Sequence, residues 1–593
     1  MARRGFALIV ALLSAAFIIS IASIVMLYVL VGREPSVPFN ATLTIEIGGD
    51  LAELPPSDIT TALSGVRAPT VHSIVDSLRK AKVDDRVSGV LLKPTGFTTP
   101  FWAKVQEIRN AMLDFKTSGK PLYAYLEHAA DRDYYLATAA DKVFLMPASS
   151  LDLTGVATYQ LFLRGTLDKA GVYPDLRHVG DYKTAVNIFT EKGYTPAHKE
   201  MDASVNTSLY DQLVEGIASG RHKSADEVRR LIDDGPFVPA QALRAGLVDD
   251  VAYEDAVRDA LREASGASDD SEIDGRDYVQ VAASSLGLDR GPRIGVIYAS
   301  GAITSGKSGY DPLNGATVGS ETLIDAIRTA REDVSLRALI LRIDSPGGSS
   351  VASDAIWHEL TLATTTEPAR PLIASMSDLA ASGGYYIAIA AQSIVAQPST
   401  LTGSIGIYGG KYVMGGLYEK LGADIDSTSN GKRAEINSPA RRYTPDEAGK
   451  LDEHLRTFYD QFVQKVATAR RKTTDDIERI AQGRVWTGRQ ALDNGLVDAL
   501  GGLDRAIMLA KERAKIAPDD EVEIVVFPPR RTVYELLREQ WSGRGGASQA
   551  AIGQWMTTHL SATEREVLRA LRGPLGVFRR GEPLALMPYS YLR

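Results

Sequence analysis

One serine of this sequence is surrounded by unusually small residues. Residues 380–386 read Ala-Ala-Ser-Gly-Gly-Tyr-Tyr, so Ser382 precedes two residues that have no side chain. A substrate could approach this hydroxyl closely, and the Ala-rich stretch beyond it is typical of a buried helix whose positive end would face it. The pattern favours a nucleophilic serine at a strand-to-helix turn over the common alternative of a helix-capping serine.

A second glycine-rich segment, residues 344–349, follows a short apolar run and reads Asp-Ser-Pro-Gly-Gly-Ser. Taken alone, it is also compatible with a simple tight turn. A Pro-Gly-Gly turn after a buried strand presents backbone N–H groups without side chains in the way, which is what an oxyanion hole requires. We therefore expect the N–H groups of Gly383 and of Gly347 or Gly348 to face the carbonyl oxygen of the substrate group that Ser382 attacks.

A serine hydroxyl needs a base to accept its proton. None of the eight histidines lies in a familiar arrangement with an acid, and His358-Glu359 lacks the H-E-x-x-H spacing of a zinc protease. A lysine can serve if desolvation keeps it neutral. The tetrad from Ser77 to Lys80 lies on an amphipathic helical pattern, where both side chains are expected to be solvated.

Two better candidates are Lys183, in Gly-Asp-Tyr-Lys-Thr-Ala-Val, and Lys432, in Asn-Gly-Lys-Arg. Both segments lead to a Tyr-Thr-Pro, and counting back from it pairs Lys183 with Lys432. Matching the preceding glycines instead pairs Lys183 with Ala434. The neighbours of Lys432 are polar and those of Lys183 more apolar, but the residues alone do not choose between the two lysines.

The elements that would position these residues belong to an internal repeat. Residues 121–155 and 371–403 share Pro-Leu, Ala-Ala, Tyr-Tyr, Ala-x-Ala-Ala and Leu-Thr-Gly in the same order. Each half alternates apolar runs with amphipathic helical stretches, which predicts an α/β fold with a largely parallel sheet covered on both faces. The first copy has Asp-Arg-Asp at 131–133 and Lys-Pro-Thr-Gly at 93–96, so the chemistry is expected in the second.

The N-terminus carries one extreme segment. Residues 5–32 contain no charge and follow Arg3 and Arg4, which predicts a membrane-spanning helix with its N-terminus in the cytoplasm and the body outside. A cleaved signal peptide is the alternative, but its apolar region would be shorter. The tail is predicted to contain a short helix from Ser561, and its apolar end, from Pro583, to be a terminus packed on the surface.

The composition narrows the chemistry further. The 593 residues include no cysteine, which excludes disulfides, a thiolate nucleophile, zinc–thiolate sites and iron–sulfur clusters. The 66 basic residues are outnumbered by 74 acidic ones, which argues against a nucleic-acid partner. No cofactor and no metal are expected.

The motifs around Lys183, at 344–349, at 380–386 and at 401–406 (Leu-Thr-Gly-Ser-Ile-Gly) together resemble signal peptide peptidase A in its long, two-repeat bacterial form. The resemblance implies that Ser382 is the nucleophile and Lys183, from the first half, the general base. It also implies that Ser404 supports the lysine. Lys432 is left as a second or alternative base.

The resemblance also implies the architecture. Each repeat is expected to have the fold shared by crotonases and Clp-type proteases. We predict, in order, a transmembrane anchor at 1–35, a first α/β repeat with the lysine at 40–265, a linker at 266–292, a second α/β repeat with the serine at 293–528, and a C-terminal tail at 529–593.

The implied function is that of a serine endopeptidase anchored in the inner (cytoplasmic) membrane, with a periplasmic body that cleaves remnant signal peptides and similar apolar peptides. A homo-oligomer, with a tetramer expected, follows from the same resemblance. Two alternatives stay open, a crotonase-type acyl-CoA enzyme and a non-catalytic membrane scaffold of the same fold.

Overall fold

A computed structural model describes residues 20, 35–54, 69–268, 271–311, 315–529, 578, 582–588 and 591–592 of the chain. The predicted anchor at 1–35 lies outside the described residues, apart from Ser20 and Pro35, and so does the predicted tail helix from Ser561. Within the described ranges, none of the helices has the length and apolar character needed to span a bilayer.

The first repeat alternates strands and helices as predicted. Its strands are Ala41–Gly49, Val87–Phe97, Leu122–Leu126, Ala129–Ala130, Lys142–Leu145, Leu151–Asp152, Thr158–Tyr159, Tyr173–Val179, Asp250–Val251 and Glu272–Asp274. Its helices are Val71–Val83, Ala103–Lys116, Asp131–Ala137, Arg164–Ala170, Asn187–Thr190, Pro196–Arg221, Ala225–Asp234, Pro239–Arg244, Glu254–Ser265 and Gly275–Tyr278, with 3-10 turns at Thr184–Val186 and Ala283–Leu286.

The second repeat follows the same order. Its strands, with those of the C-terminal segment, are Arg293–Ser300, Ala302–Thr304, Gly309–Asp311, Gly315–Gly319, Leu336–Ser345, Gly347–Ser349, Leu372–Ala381, Ser393–Ala396, Leu401–Gly403, Ile407–Val413, Val485–Thr487, Ala499–Leu500, Glu523–Phe527, Leu584–Leu586 and Tyr591–Leu592. Its helices are Ser320–Glu332, Ser350–Thr365, Gly383–Ala388, Gly415–Lys420, Pro445–Arg470, Thr474–Glu478, Gly488–Asp493 and Leu503–Arg513.

The central sheet of each repeat is parallel. In the first, Ala41–Gly49 pairs with Val87–Phe97, which pairs with Leu122–Leu126. In the second, Arg293–Ser300, Leu336–Ser345 and Leu372–Ala381 pair in the same order. The apolar runs predicted as strands are almost wholly buried because helices cover both faces, which is the usual reason for such continuous runs. The predicted α/β class with two repeats is confirmed.

The repeat is visible in matching details. Each half has a long helix of 26 residues, Pro196–Arg221 and Pro445–Arg470, and each has proline in its first turn. The hydroxyls of Thr195 and Thr444 cap the two N-termini, which satisfies one of the free N–H groups there. Each helix begins at the proline of a Tyr-Thr-Pro sequence, which identifies the two helices as corresponding elements of the repeat.

The segment predicted as a linker, 266–292, is built into the first repeat. Its strand Glu272–Asp274 pairs in parallel with Ala41–Gly49, as Glu523–Phe527 pairs with Arg293–Ser300 in the second repeat. Tyr278 is fully buried and its hydroxyl donates to the Asp84 carboxylate at 3.1 Å. In chain order, Glu272–Asp274 is therefore the last strand of the first repeat's central sheet.

The expectation that Ser77 and Lys80 are solvated is wrong. Lys80 is 1% exposed, and its ammonium donates to the carbonyl oxygens of Val279 and Val281 at 3.1 and 3.0 Å. The Ser77 hydroxyl is buried and donates to the Ser73 carbonyl within the helix. Residues 279–281, in the segment predicted as a linker, cover this helix face, and a helical periodicity does not reveal such a cover.

A third, seven-stranded sheet joins the two halves. Its strands lie in the order Gly309–Asp311, Gly315–Gly319, Ala302–Thr304, Gly347–Ser349, Leu584–Leu586, Ile407–Val413 and Tyr173–Val179. The last of these belongs to the first repeat and pairs antiparallel with Ile407–Val413 over seven residue pairs. This pairing brings the segment that begins at Gly180 into the second repeat. The strand Leu584–Leu586 is at most 2% exposed, so the expectation of a terminus packed on the surface is wrong.

Candidate active site

Ser382 lies where a strand turns sharply into a helix. The strand Leu372–Ala381 ends directly before it, and the helix Gly383–Ala388 begins directly after it. Its backbone has φ 56° and ψ −112°, a conformation that a residue with a side chain adopts only where the surroundings enforce it. The Ser382 N–H donates to the Gly403 carbonyl at 2.8 Å, which holds the turn. The predicted strand-to-helix turn is confirmed.

The Ser382 hydroxyl contacts a lysine of the other repeat. The Nζ of Lys183 lies 2.8 Å from the Oγ of Ser382. The same Nζ lies 3.0 Å from the Oγ and 3.1 Å from the carbonyl oxygen of Ser404. All three residues are 0% exposed. The predicted serine, lysine and supporting serine therefore meet at one buried point, although 199 residues separate Ser382 from Lys183.

Lys183 is positioned by the chain of both repeats. It follows the strand Tyr173–Val179 and the turn at Gly180, and the Tyr182 N–H donates to the Gln482 carbonyl at 2.9 Å. Gly483 packs against its backbone, since a Cβ on Gly483 would lie 2.5 Å from the Lys183 Cα. A side chain at position 483 would collide with the backbone of Lys183. The backbone of Gly483 also has φ 82°, which favours glycine.

Burial lowers the pKa of Lys183 well below its usual value near 10.5. No carboxylate offsets this loss of hydration, because among the described residues Lys183 forms no ion pair. The neutral amine has two N–H groups, which suit the two acceptors of Ser404, and one lone pair, which suits the Ser382 hydroxyl. The arrangement can therefore remove a proton from Ser382.

Backbone amides converge beside Ser382. A Cβ on Gly347 would lie 2.6 Å from the Gly383 nitrogen, and a Cβ on Gly383 would lie 3.1 Å from the Gly348 nitrogen. The Gly347 N–H already donates to the Ser345 hydroxyl at 3.2 Å. The sequence left Gly347 and Gly348 as alternative oxyanion donors. Because the Gly347 N–H is already bonded, Gly348 is favoured as the second donor beside Gly383.

The corresponding place in the first repeat is filled by carboxylates. Asp131 occupies the position of Ser382, and it accepts the N–H groups of Thr154 and Gly155. Asp133 accepts the N–H of Gly96 at 3.2 Å. Gly96 lies in the turn that corresponds to the Pro-Gly-Gly segment of the second repeat. Burial raises the pKa of Asp131 to about 6. The Gly96 amide, which could hold an oxyanion in this copy, is therefore already occupied.

Lys432 lies apart from the buried cluster. Its side chain is 73% exposed, and its Nζ lies 2.7 Å from the Asp446 carboxylate. In this setting the side chain stays in water beside an anionic partner. Of the two candidates that the residues left open, the structure brings Lys183 to Ser382.

A buried ionic cluster ties the active-site strands to the first repeat, and sequence reasoning missed it. Arg342, on the strand that leads to the Pro-Gly-Gly turn, is 1% exposed and bonds to Glu53 at 2.8 Å and to Glu107 at 2.6 Å. Burial favours a protonated Glu53, but Arg342 lowers the pKa of that carboxyl to about 2. The partners are hundreds of residues apart, so no local pattern predicts them.

A second buried cation lies next to the first. The Nζ of Lys104 lies 2.7 Å from the Asp344 carboxylate and 3.4 Å from that of Asp378. Asp344 begins the Pro-Gly-Gly segment and accepts the N–H of Leu379 at 3.2 Å. Burial raises the pKa of Asp378 to about 6. The first repeat thus holds both strands that carry the candidate oxyanion hole and Ser382.

Replacing Arg342 with methionine is expected to reduce the free energy of unfolding by about 3–5 kcal/mol, because two carboxylates would stay buried without their cation. The midpoint of urea unfolding measures the change. Arg229→Met is the matched control, since Arg229 is 41% exposed and pairs with carboxylates that are also exposed. Equal shifts in the two variants would contradict the expected role of Arg342.

The described residues contain no group of three or more His, Asp or Glu side chains arranged to hold a metal ion. What the site contains is a serine at a strained turn, a buried lysine and converging backbone amides. This is the arrangement of a serine-type peptidase that uses lysine as its base.

The comparisons with known proteins agree with this class. The chain belongs to Peptidase family S49, which matches residues 114–268 and 365–517, one stretch in each repeat. It is 36% identical to the chloroplastic serine protease SPPA of Arabidopsis thaliana, over 82% of this chain and 71% of that protein. It is 34% identical to Protease 4 of Salmonella typhi, over 80% of this chain and 76% of that protein.

A shorter relative matches about one repeat. The chain is 31% identical to a putative signal peptide peptidase SppA of Enterococcus faecium, over 34% of this chain and 58% of that protein. The long relatives and the two family matches confirm the predicted resemblance to the two-repeat form of signal peptide peptidase A. The protein is a serine-type peptidase.

Proposed function

We propose that this peptidase cleaves apolar peptides, remnant signal peptides among them, with Ser382 as nucleophile and Lys183 as general base. The observation that carries the proposal is the 2.8 Å contact between the two side chains in a site from which water is excluded. The names of the relatives, Protease 4 and signal peptide peptidase SppA, support the substrate class.

The proposed reaction proceeds in two stages. Neutral Lys183 accepts the hydroxyl proton while the Oγ of Ser382 bonds to the scissile carbonyl carbon. Donors at Gly348 and Gly383 stabilise the oxyanion, each typically contributing about 3–4 kcal/mol. The C–N bond breaks as Lys183 returns the proton to the leaving amine, and water then hydrolyses the acyl-enzyme. Ser404 holds two lysine N–H groups so that the lone pair points at Ser382.

The location and assembly belong to the proposal as well. We place the uncharged segment 5–32 in the inner membrane with the body on the periplasmic side, where cleaved signal peptides would be met. We also assign each repeat the fold of crotonases and Clp-type proteases, and we expect a tetramer.

Cleavage of a peptide set by the purified body, residues 36–593, tests the proposal. Peptides with the apolar core of a signal sequence should be cut with a kcat/KM at least about tenfold higher than length-matched peptides with charged cores, because an apolar peptide gains free energy on burial. Acyl-CoA hydrolysis measured alongside identifies a crotonase-type enzyme. If the body cleaves neither peptide class, the proposed function is wrong.

A further inference from the structure

Two segments of the second repeat pack closely around the Lys183 side chain. A Cβ on Gly483 would lie 2.5 Å from the Lys183 Cα, and a Cβ on Gly406 would lie 3.0 Å from its Cδ. The two segments are bonded to each other, since the Gly483 N–H donates to the Ile405 carbonyl at 2.7 Å. The exclusion of water from the lysine therefore depends on how firmly these segments are held together.

One arginine connects the side chains around these segments. The guanidinium of Arg484 lies over the rings of Tyr182 and Trp486, with its central carbon 4.7 and 4.4 Å from the ring centroids. Its Nη1 lies 2.7 Å from the Glu200 carboxylate, to which the Tyr182 hydroxyl also donates at 3.0 Å. We call these four residues the Arg484 cluster. It joins the first repeat, which supplies Tyr182 and Glu200, to the second.

The Arg484 cluster extends from the surface to the candidate base. The Glu200 side chain is 56% exposed, that of Arg484 is 16% exposed, and Lys183 is 0% exposed. Tyr182 directly precedes Lys183, and the Arg484 carbonyl accepts the N–H of Ser404 at 2.7 Å. The cluster is thus bonded to the backbone of the residues that hold the lysine amine, and its other end meets solvent.

No charge near Lys183 accounts for its lowered pKa, which has burial as its cause. Among the described residues, the Lys183 Nζ bonds only to the two serines of the site. Water that reached this amine would therefore restore its protonated form. The titratable and charged side chains along the surrounding segments are His178, Asp181, Tyr182, Glu200, Tyr459 and Arg484.

We propose that Arg484 is a positioning residue that closes the lysine site against water and thereby keeps Lys183 neutral for catalysis. Without the guanidinium, the Tyr182 ring and the segment 482–486 lose the group that connects them, and water enters beside the lysine. A protonated lysine cannot accept the proton of Ser382, so the effect appears in the reaction. The inference rests on the proposed function, because it names the residue that keeps the proposed base neutral.

Arginine has the properties that this position needs. Its guanidinium is planar, stacks on aromatic rings and is more weakly hydrated than an ammonium group, so it can cover a dry site. It also stays charged at every working pH, so its bond to the exposed Glu200 carboxylate persists. The positive charge of Arg484 could act on Lys183 directly as well, and the experiment therefore has to separate closure from charge.

The pH dependence of kcat/KM for a signal-sequence peptide, measured on full-length chains, tests the proposal. Its acid limb reports the pKa of the base in the free enzyme. Arg484→Ala opens the site, and we expect the limb to move up by about one pH unit. On the limb this lowers kcat/KM about tenfold, because the neutral fraction of Lys183 falls by that factor. At high pH, where the lysine is neutral in both chains, kcat/KM should agree within about twofold.

Two further variants separate closure from charge. Methionine is uncharged, has a similar length and packs well on aromatic rings, so Arg484→Met should move the limb by no more than about 0.3 pH units. Equal movements in Arg484→Met and Arg484→Ala would assign the effect to charge and overturn the inference. Arg489→Ala is the matched control, because Arg489 pairs with Glu215 of the helix that also carries Glu200, at 2.6 Å and outside the Arg484 cluster. Its limb should coincide with that of the unchanged chain.

The rate at which a phosphonate probe labels Ser382 gives a second measurement that needs no peptide. Its acid limb should move in Arg484→Ala as that of kcat/KM does. A limb that stays in place would overturn the inference. A loss of activity at every pH would overturn it too, since Arg484 would then serve the fold. If the unchanged chain neither cleaves peptides nor is labelled, the proposed function fails, and this inference fails with it.

Discussion

Replacing Lys183 with methionine is expected to lower kcat for peptide cleavage by about 10⁴-fold, the upper end of what a general base contributes. The 2.8 Å contact with Ser382 gives the reason, because no other titratable side chain donates to or accepts from that hydroxyl among the contacts of the described residues. Methionine has nearly the same length and is apolar, so the buried space stays filled.

Lys432→Met is the matched control for this prediction. It removes the other candidate lysine, which is exposed and paired with Asp446. We expect its kcat to stay within about twofold of the unchanged chain, as for most surface substitutions. Activity that survives in Lys183→Met and disappears in Lys432→Met would move the base to the second repeat.

Stability gives Lys183→Met a second, opposite signature. Since burial lowers the native pKa of Lys183, the unfolded chain binds one proton more than the native chain between that pKa and about 10.5. The contribution of Lys183 to the free energy of unfolding therefore rises with pH across that window. It is lowest at pH values below the native pKa. At neutral pH the methionine variant should unfold at higher urea concentration, although it is inactive.

Ser382→Ala is expected to lower kcat by about 10⁵-fold or more, as the loss of a nucleophile does in serine peptidases. The methyl group fits the same turn, so the fold should persist and peptide binding should change little. Isothermal titration of a signal-sequence peptide and a cleavage assay on the same sample separate the two effects. A serine-reactive phosphonate should label the unchanged chain once per polypeptide and leave Ser382→Ala unlabelled.

The first repeat supplies the control for that substitution. Asp131→Ala changes the residue that stands where Ser382 stands in the other copy, and its carboxylate accepts the N–H groups of Thr154 and Gly155 within its own repeat. Its labelling and kcat per folded chain should match those of the unchanged protein. Labelling that persists in Ser382→Ala would show that another serine is the nucleophile.

Much of this site could be predicted because its signals are local. The small residues around Ser382 and the Pro-Gly-Gly turn identify a strand-to-helix turn and free amides, and the repeat shows which copy lacks them. The residues alone could not distinguish Lys183 from Lys432 as the base. The distinction depends on the long-range pairing of strand Tyr173–Val179 with strand Ile407–Val413. Only the family resemblance indicated it.

The features that sequence reasoning missed are all long-range. Arg342 meets Glu53 across 289 residues, and Lys80 is covered by the backbone near Val281, in the segment predicted as a linker. The apolar end of the tail gave a sign in its Leu-Ala-Leu, but a short apolar run does not tell which surface it covers. Periodicity predicts which face of a helix or strand is buried, but it does not predict which segment of the chain covers that face.

The Asp133 carboxylate on the Gly96 amide has a consequence for how the duplicated chain can evolve. Placing a serine at position 131 would supply a hydroxyl, but Asp133 would still block the amide that has to polarise a carbonyl. At least two coordinated changes are thus needed before selection could act on a second centre, and neither is useful alone. The first copy is free to specialise as the donor of Lys183 and Lys104, and one polypeptide retains one cutting centre.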